Sequence, residues 1–207
     1  MSKRTTTRAA IVAAAATLGL GASAAGASAA YSISGGSYTG TATSVHQFSI
    51  GGAVFGCNSV TSSGTATGAA SSSFTPSYSG CTMDAMGTVL PVTVTVNAQW
   101  TMTVTGGPVS GAYGVAFQVG AVSAGHSVVI SLPDLACEFY VDPQPLPLTG
   151  GSANNFVTGT GVNLRASVSG ISYTSAGPCP LAPSGDDMTY ETGLNPVTMP
   201  GITIAGS

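Results

Sequence analysis

Apolar and polar residues alternate without a break from Val92 to Val104, the most regular pattern in the chain. Polar residues hold the odd positions, and the even positions carry Val92, Val94, Val96, Ala98, Trp100, Met102 and Val104. A period of two is typical of a β-strand with one face in the core and the other in water. We therefore expect Val92, Val94, Val96, Trp100, Met102 and Val104 to share one buried face.

The length of this segment leaves two arrangements open. At about 3.3 Å per residue it would span about 40 Å, which is long for a single strand. It is either one long bent strand or a hairpin with a three-residue loop at 97–99, which would pair Val96 with Trp100. A two-residue turn on Asn97 and Ala98 is excluded, because it would mix apolar and polar residues on each face.

Shorter alternations recur along the rest of the chain, for example at Val45–Ile50, Tyr113–Val122 and Asp134–Asp142. Glycine and proline clusters such as Gly51-Gly52 separate them, as expected for turns between strands. No helical period is sustained after the first thirty residues. The sequence predicts an all-β fold, an antiparallel sandwich or open barrel of about 10–12 strands.

The N-terminal residues have the pattern of a secretory signal peptide. Lys3, Arg4 and Arg8 form a basic start, Ala9–Leu20 is apolar, and Ala27-Ser28-Ala29 supplies a small-residue cleavage site. The apolar run is shorter than the ~20 residues that span a bilayer. We predict a signal peptide at 1–29 and a secreted protein, extracellular or in the cell envelope. Residues 30–207 would form a single domain, or two lobes joined near the proline-rich stretch 143–153.

The charge of the exported part excludes two classes of partner. Arg165 is its only lysine or arginine, against all seven acidic residues of the chain. Binding of phosphate groups needs clustered basic residues. We therefore expect neither nucleic acid nor an anionic membrane surface as a partner; a cell-wall glycan or another protein remains open.

Four cysteines, Cys57, Cys81, Cys137 and Cys179, lie in the exported part. An even number in an oxidising compartment indicates two disulfides. Thiolate metal binding is disfavoured, because no Cys-x-x-Cys pair is present and His46 and His126 are not at ligand spacing. Three connectivities are possible, and we favour Cys57 with Cys81 and Cys137 with Cys179, since each pair lies within one half of the chain.

Two short motifs resemble functional signatures. Leu146–Gly150 reads LPLTG, like a sortase signal, but the chain continues well beyond it to an uncharged end. We expect a loop there. Gly125-His126-Ser127 resembles the start of a nucleophile elbow, but Val129 replaces the second glycine that the strained turn needs. We therefore predict no catalytic residues and no enzyme.

Acidic residues form two groups, Asp134, Glu138 and Asp142 on one strand face, and Asp186, Asp187 and Glu191, which we expect in the last loop. Oxygen-rich sets can bind calcium outside the cell, and Asp186, Asp187 and Glu191 are weak candidates. No Asp-x-Asp-x-Asp-Gly frame is present, so we expect no metal and no cofactor, and we interpret these residues as solubilising charges. A glycosidase needs two carboxylates at a defined separation across a cleft, and the sequence places no two of these residues in that way.

Cys57, Gly80-Cys81, the threonine-alternating strand into Trp100 and the second cysteine pair together resemble secreted all-β proteins of actinobacteria. This resemblance implies export and two disulfides within one domain, and it implies no functional residues. Our leading hypothesis is a non-catalytic extracellular or cell-envelope protein. The alternatives are a module that binds polysaccharide or a small ligand, and a pore-forming β-barrel with apolar residues outside and threonine inside.

Overall fold

A computed structural model describes residues 31–42, 45–85, 87–109, 112–146, 156–158, 160–179, 184–192 and 197–206. The predicted signal peptide lies outside these residues, as does most of the predicted junction at 143–153. None of the described helices is long and apolar enough to cross a membrane. The described strands are β1 Tyr31–Ser34, β2 Gly36–Ala42, β3 His46–Ile50, β4 Ala53–Ala66, β5 Ser71–Ala85, β6 Thr88–Val96, β7 Trp100–Val109, β8 Ala112–Val119, β9 Val128–Leu132, β10 Cys137–Val141, β11 Gln144–Leu146, β12 Phe156–Thr158, β13 Thr160–Leu164, β14 Ser167–Ala176, β15 Gly185–Glu191 and β16 Val197–Gly206, with a 3-10 turn at Pro133–Leu135.

Eight of these strands form a closed antiparallel barrel. Its order is β4, β3, β15, β14, β10, β9, β6 and β5, and the long β4–β5 pairing returns the sheet to its start. Closure leaves no open edge within this ring. The all-β prediction is confirmed, and the barrel is closed.

The two longest strands, β4 and β5, each carry a further set of strands. From β4 the sheet extends through β2 to β16, which also pairs with β1 and β13. From β5 it extends through β7 to β8, which also pairs with β11 and β12. Because β12 and β13 follow each other in the chain, the segment 156–164 joins the two extensions.

The core consists of the inward-facing apolar residues of both regions, packed in one continuous cluster. Burial of one large apolar side chain contributes about 1.5–3 kcal/mol, so alternation along many strands supplies most of the driving force for folding. The largest fully buried side chains are Phe55, Phe139, Ile33, Ile50, Met83, Met102, Ile130, Leu132, Met188, Met199, Ile202 and His46.

The segment 92–104 continues in one direction as two strands, the end of β6 and the start of β7, and the three-residue hairpin is wrong. Both β6 and β7 pair antiparallel with β5, so the two run in the same direction, with a break at 97–99. Beyond Val92, β6 pairs with β9 on its other side, whereas β7 pairs with β8. The alternation continues across the break: Val92, Val94, Trp100, Met102 and Val104 are buried and Val96 is half-buried, as predicted.

Both favoured disulfides are confirmed. Cys57 on β4 is directly opposite Cys81 on β5, and their bond crosses the pairing that closes the barrel. Cys137, which begins β10, is bonded to Cys179 beyond the end of β14. Two disulfides are consistent with an extracellular or otherwise oxidising environment.

Candidate functional site

An open groove lies on the outside of the barrel, where the long strand breaks. The loop 120–127 connects β8, next to β7, with β9, next to β6, and therefore crosses this break. Asn97 and Ala98 donate their backbone N–H groups to the Ser127 carbonyl at 2.9 and 3.3 Å, and Gly120 N–H donates to the Gln99 carbonyl at 3.0 Å. These bonds hold the loop beside the break. The resulting groove of about 690 Å³ is lined by Ser73, Asn97, Ala98, Gln99, Thr101, Gly120, Ala121, Val122, Ser123 and Ala124.

Uncharged hydrogen-bonding groups give the groove its chemical character. Among the described residues that line it, none is charged, and the polar ones carry hydroxyl or carboxamide groups. Asn97 and Gln99 are exposed, and the Asn97 side-chain amide donates to the His126 carbonyl at 2.9 Å. The Asn97 side-chain oxygen remains an acceptor, and the Gln99 carboxamide can both donate and accept. This set can bind neutral ligands rich in hydroxyl groups.

A stacked His–Tyr pair connects the end of this loop with β10. The rings of His126 and Tyr140 have centroids 3.9 Å apart and an interplanar angle of 6°. His126 Nδ1 is 2.9 Å from Asp142 Oδ1, and the Tyr140 hydroxyl donates to Glu138 Oε2 at 2.5 Å. This second bond raises the pKa of Tyr140. Since the side chains of His126 and Asp142 are 37% and 54% exposed, water weakens their ionic attraction.

Inside the barrel, His46, Tyr190 and Tyr78 form a buried group of polar side chains. The Tyr190 hydroxyl lies 2.8 Å from His46 Nδ1, and the rings of Tyr78 and Tyr190 are in edge-on contact with centroids 6.2 Å apart. Burial raises the pKa of both tyrosines and lowers the pKa of His46 to about 4. His46 Nε2 has no hydrogen-bond partner among the described residues.

The calcium candidates lie along strand β15, and their expected position in a loop is wrong. Asp187 and Glu191 are exposed on β15, four residues apart. At about 3.3 Å per residue their backbones are roughly 13 Å apart, too far for both to bind one ion directly at about 2.4 Å. Asp187 Oδ1 accepts a hydrogen bond from Tyr173 at 2.9 Å. The Asp186 side chain lies outside the described residues, and within them no group of three metal-binding side chains occurs.

The two motifs that resemble functional signatures are Gly125-His126-Ser127 and LPLTG at 146–150. Ser127 is fully buried, and its hydroxyl donates to the Gly120 carbonyl at 2.7 Å, while the His126 imidazole contacts Asp142. The geometry therefore provides no Ser–His pair at this position. Of the LPLTG motif, Leu146 is buried at the end of β11, and 147–150 lies outside the described residues.

Sequence reasoning missed the groove and the His126–Asp142 contact. The sequence marked 97–99 as the place of a possible loop, but the second loop that lines the groove is more than 20 residues further along the chain. The fold and the site together define a disulfide-bonded, closed antiparallel β-barrel with an uncharged polar groove. The chain matches no protein-family model, no curated protein and no solved structure.

Proposed function

We propose that this is a non-catalytic extracellular or cell-envelope protein that binds a neutral polysaccharide in the groove at 97–101 and 120–124. The observation that carries this proposal is the lining of the groove, which offers amide and hydroxyl groups without charge. Sugar hydroxyls both donate and accept hydrogen bonds, and asparagine, glutamine, serine and threonine side chains do the same.

The size and openness of the groove also favour an extended ligand. A volume of about 690 Å³ is within the range of about 300–1,000 Å³ that is usual for ligand sites. The groove is open to solvent, so a bound polymer need not be enclosed by it. The scarcity of basic residues in the exported chain favours a neutral glycan over an anionic one.

Gln99 and Thr101 are the residues with which to test the proposal. We expect the purified mature protein to be retained by insoluble cell-wall glycan, and a Gln99→Ala, Thr101→Ala variant to lose at least tenfold in affinity. The matched control is Thr93→Ala, Thr95→Ala, since both threonines are exposed on the same strand face but outside the groove. Equal retention of the two double variants, or no retention of the parent protein, would contradict the proposal.

Cell fractionation tests the location. We expect the chain, without residues 1–29, in the culture medium or bound to the cell wall. Full-length chain in the cytoplasm would contradict export.

The pore-forming alternative gains no support, because a barrel in a bilayer turns its apolar side chains outward, whereas here they face the interior.

A further inference from the structure

The loop 120–127 forms one wall of the groove, and its two ends are tied to each other. The buried Ser127 hydroxyl donates to the Gly120 carbonyl at 2.7 Å. Backbone hydrogen bonds join the same two residues to the break in the long strand. Between these ends the chain is mostly exposed. The attachment of the two ends therefore decides where this wall of the groove lies.

His126 extends the attachment to the barrel strand β10 through its side chain. The imidazole is stacked on the Tyr140 ring, with centroids 3.9 Å apart and an interplanar angle of 6°, and its Nδ1 lies 2.9 Å from Asp142 Oδ1. Because a carboxylate only accepts hydrogen bonds, the imidazole Nδ1–H is the donor. The stack fixes the plane of the imidazole, and the hydrogen bond fixes its rotation within that plane. The two contacts together define one orientation of the side chain.

Strand β10 is a firm support for these contacts. It pairs with β14 on one side and with β9 on the other, within the closed ring. The disulfide between Cys137 and Cys179 links its first residue to the chain beyond the end of β14. Side chains on a strand of the scaffold hold a site more precisely than side chains on a loop do. Tyr140 and Asp142 can therefore fix the position of His126.

The backbone of His126 passes this position on to the groove. Its carbonyl accepts a hydrogen bond from the Asn97 side-chain amide at 2.9 Å. That bond determines how the Asn97 carboxamide is turned, and so where its oxygen acceptor lies in the groove. The next residue, Ser127, accepts backbone bonds from Asn97 and Ala98. A displaced His126 would therefore move a polar group of the groove together with the wall at 121–124.

We propose that His126 is a positioning residue for the groove, and that its contacts with Tyr140 and Asp142 preorganise the Asn97 carboxamide and the loop for binding. This inference rests on the proposed function, because the binding of a neutral glycan is what the preorganisation serves. His126, Tyr140 and Asp142 are not among the described residues that line the groove. Without their contacts the loop must be ordered at the moment of binding, which lowers the affinity.

Retention by insoluble cell-wall glycan measures the effect on binding. We expect His126→Ala to lower the affinity about fivefold, since it removes one stacked ring pair and one exposed hydrogen-bonded pair. Asp142→Ala should lower it by less, and Asp142→Asn should restore it, because the asparagine oxygen accepts the same hydrogen bond. The matched control is Tyr140→Phe, which keeps the stacked ring, removes only the hydroxyl bonded to Glu138, and should bind like the parent.

NMR of the unbound, ¹⁵N-labelled mature protein measures the positioning itself. In His126→Ala the Asn97 side-chain amide resonances should shift, and the backbone order parameters of 121–124 should fall below about 0.6, a value typical of flexible backbone. In Tyr140→Phe both should match the parent. Since the side chains at 126 and 142 are partly exposed, we expect all of these variants to fold.

The two measurements separate failure of the inference from failure of the proposed function. If the parent is retained and His126→Ala is retained equally, the inference is wrong and the proposed function stands. If the parent is not retained, the proposed function is wrong, and the Asn97 resonances and the loop order alone decide the positioning role. Unchanged resonances and order in His126→Ala, or an equal loss of affinity in Tyr140→Phe, would also overturn the inference.

Discussion

Acidification should destabilise this protein above the pH at which carboxylates titrate, and His46 is the cause. The imidazole is fully buried on β3, and Tyr190 lies 2.8 Å from its Nδ1. Burial lowers the pKa of His46 to about 4, whereas a histidine in the unfolded chain has its ordinary value of about 6.5. Between about pH 6.5 and pH 4, the His46 imidazole is therefore protonated in the unfolded chain and neutral in the folded chain.

The sign and the size of the effect follow from this difference in pKa. The folded state has its full stability above pH 6.5 and loses it as the pH falls towards 4, since the unfolded state binds more protons there. One pKa unit corresponds to about 1.4 kcal/mol, so the loss is about 2 kcal/mol at pH 5 and about 3 kcal/mol at pH 4. This is a large part of the 5–15 kcal/mol that is usual for a domain.

Urea unfolding at pH 7.0, 6.0, 5.0 and 4.0 measures this loss, and the variant His46→Gln assigns it. In this variant the fall in unfolding free energy between pH 6.5 and pH 5 should be smaller than in the parent by about 2 kcal/mol. Carboxylates titrate in both proteins and cancel in the comparison. The reasoning is refuted if His46→Gln loses as much unfolding free energy over this range as the parent does.

Three further changes test other parts of the structure. Tyr190→Phe removes the hydroxyl that lies 2.8 Å from His46 Nδ1 and should cost about 1–3 kcal/mol in urea unfolding, because this buried ring nitrogen loses its partner. Replacing Cys57 and Cys81 by serine should cost about 3.5 kcal/mol and replacing Cys137 and Cys179 about 4 kcal/mol, from sequence separations of 24 and 42; the reverse order would contradict the loop-entropy account. Gly40→Ala should lower the melting temperature, since the new Cβ would lie 2.4 Å from Ser62 Oγ and 2.7 Å from Met199 Cγ, whereas Gly106→Ala, with open space at that position, should not.

Features of the fold that depend on local alternation could be predicted from the sequence. The all-β class follows from the period of two, and the buried face of 92–104 follows from its parity, which the break at 97–99 does not change. The two disulfides could be favoured because the predicted export implies an oxidising compartment and each cysteine pair lies in one half of the chain. The alternation acts over a few neighbouring residues, and the disulfide pairing was favoured from the separation of the cysteines along the chain alone.

Features that depend on which strands pair could not be predicted. Closure of the barrel depends on β4 pairing on one side with β3 and on the other with β5 over most of its length. No residue in 97–99 has the conformational freedom of glycine, so the turn residues could not decide between a bend and a hairpin. The contact between His126 and Asp142 joins a loop to the end of β10, and it forms only because β9 and β10 are neighbours.

The break in the long strand accounts for the groove. Up to Val92 the strand pairs with β5, then β6 turns to β9, and from Trp100 the strand pairs with β5 again. Between these points the strand separates from β5, and the residues of the break are held by backbone bonds to the loop 120–127 instead. Because alternation continues through the break, Asn97 and Gln99 are exposed and line the groove, while Ala98 and Trp100 are buried. A single departure from regular pairing thus provides a polar surface without exposing the apolar face of the strand.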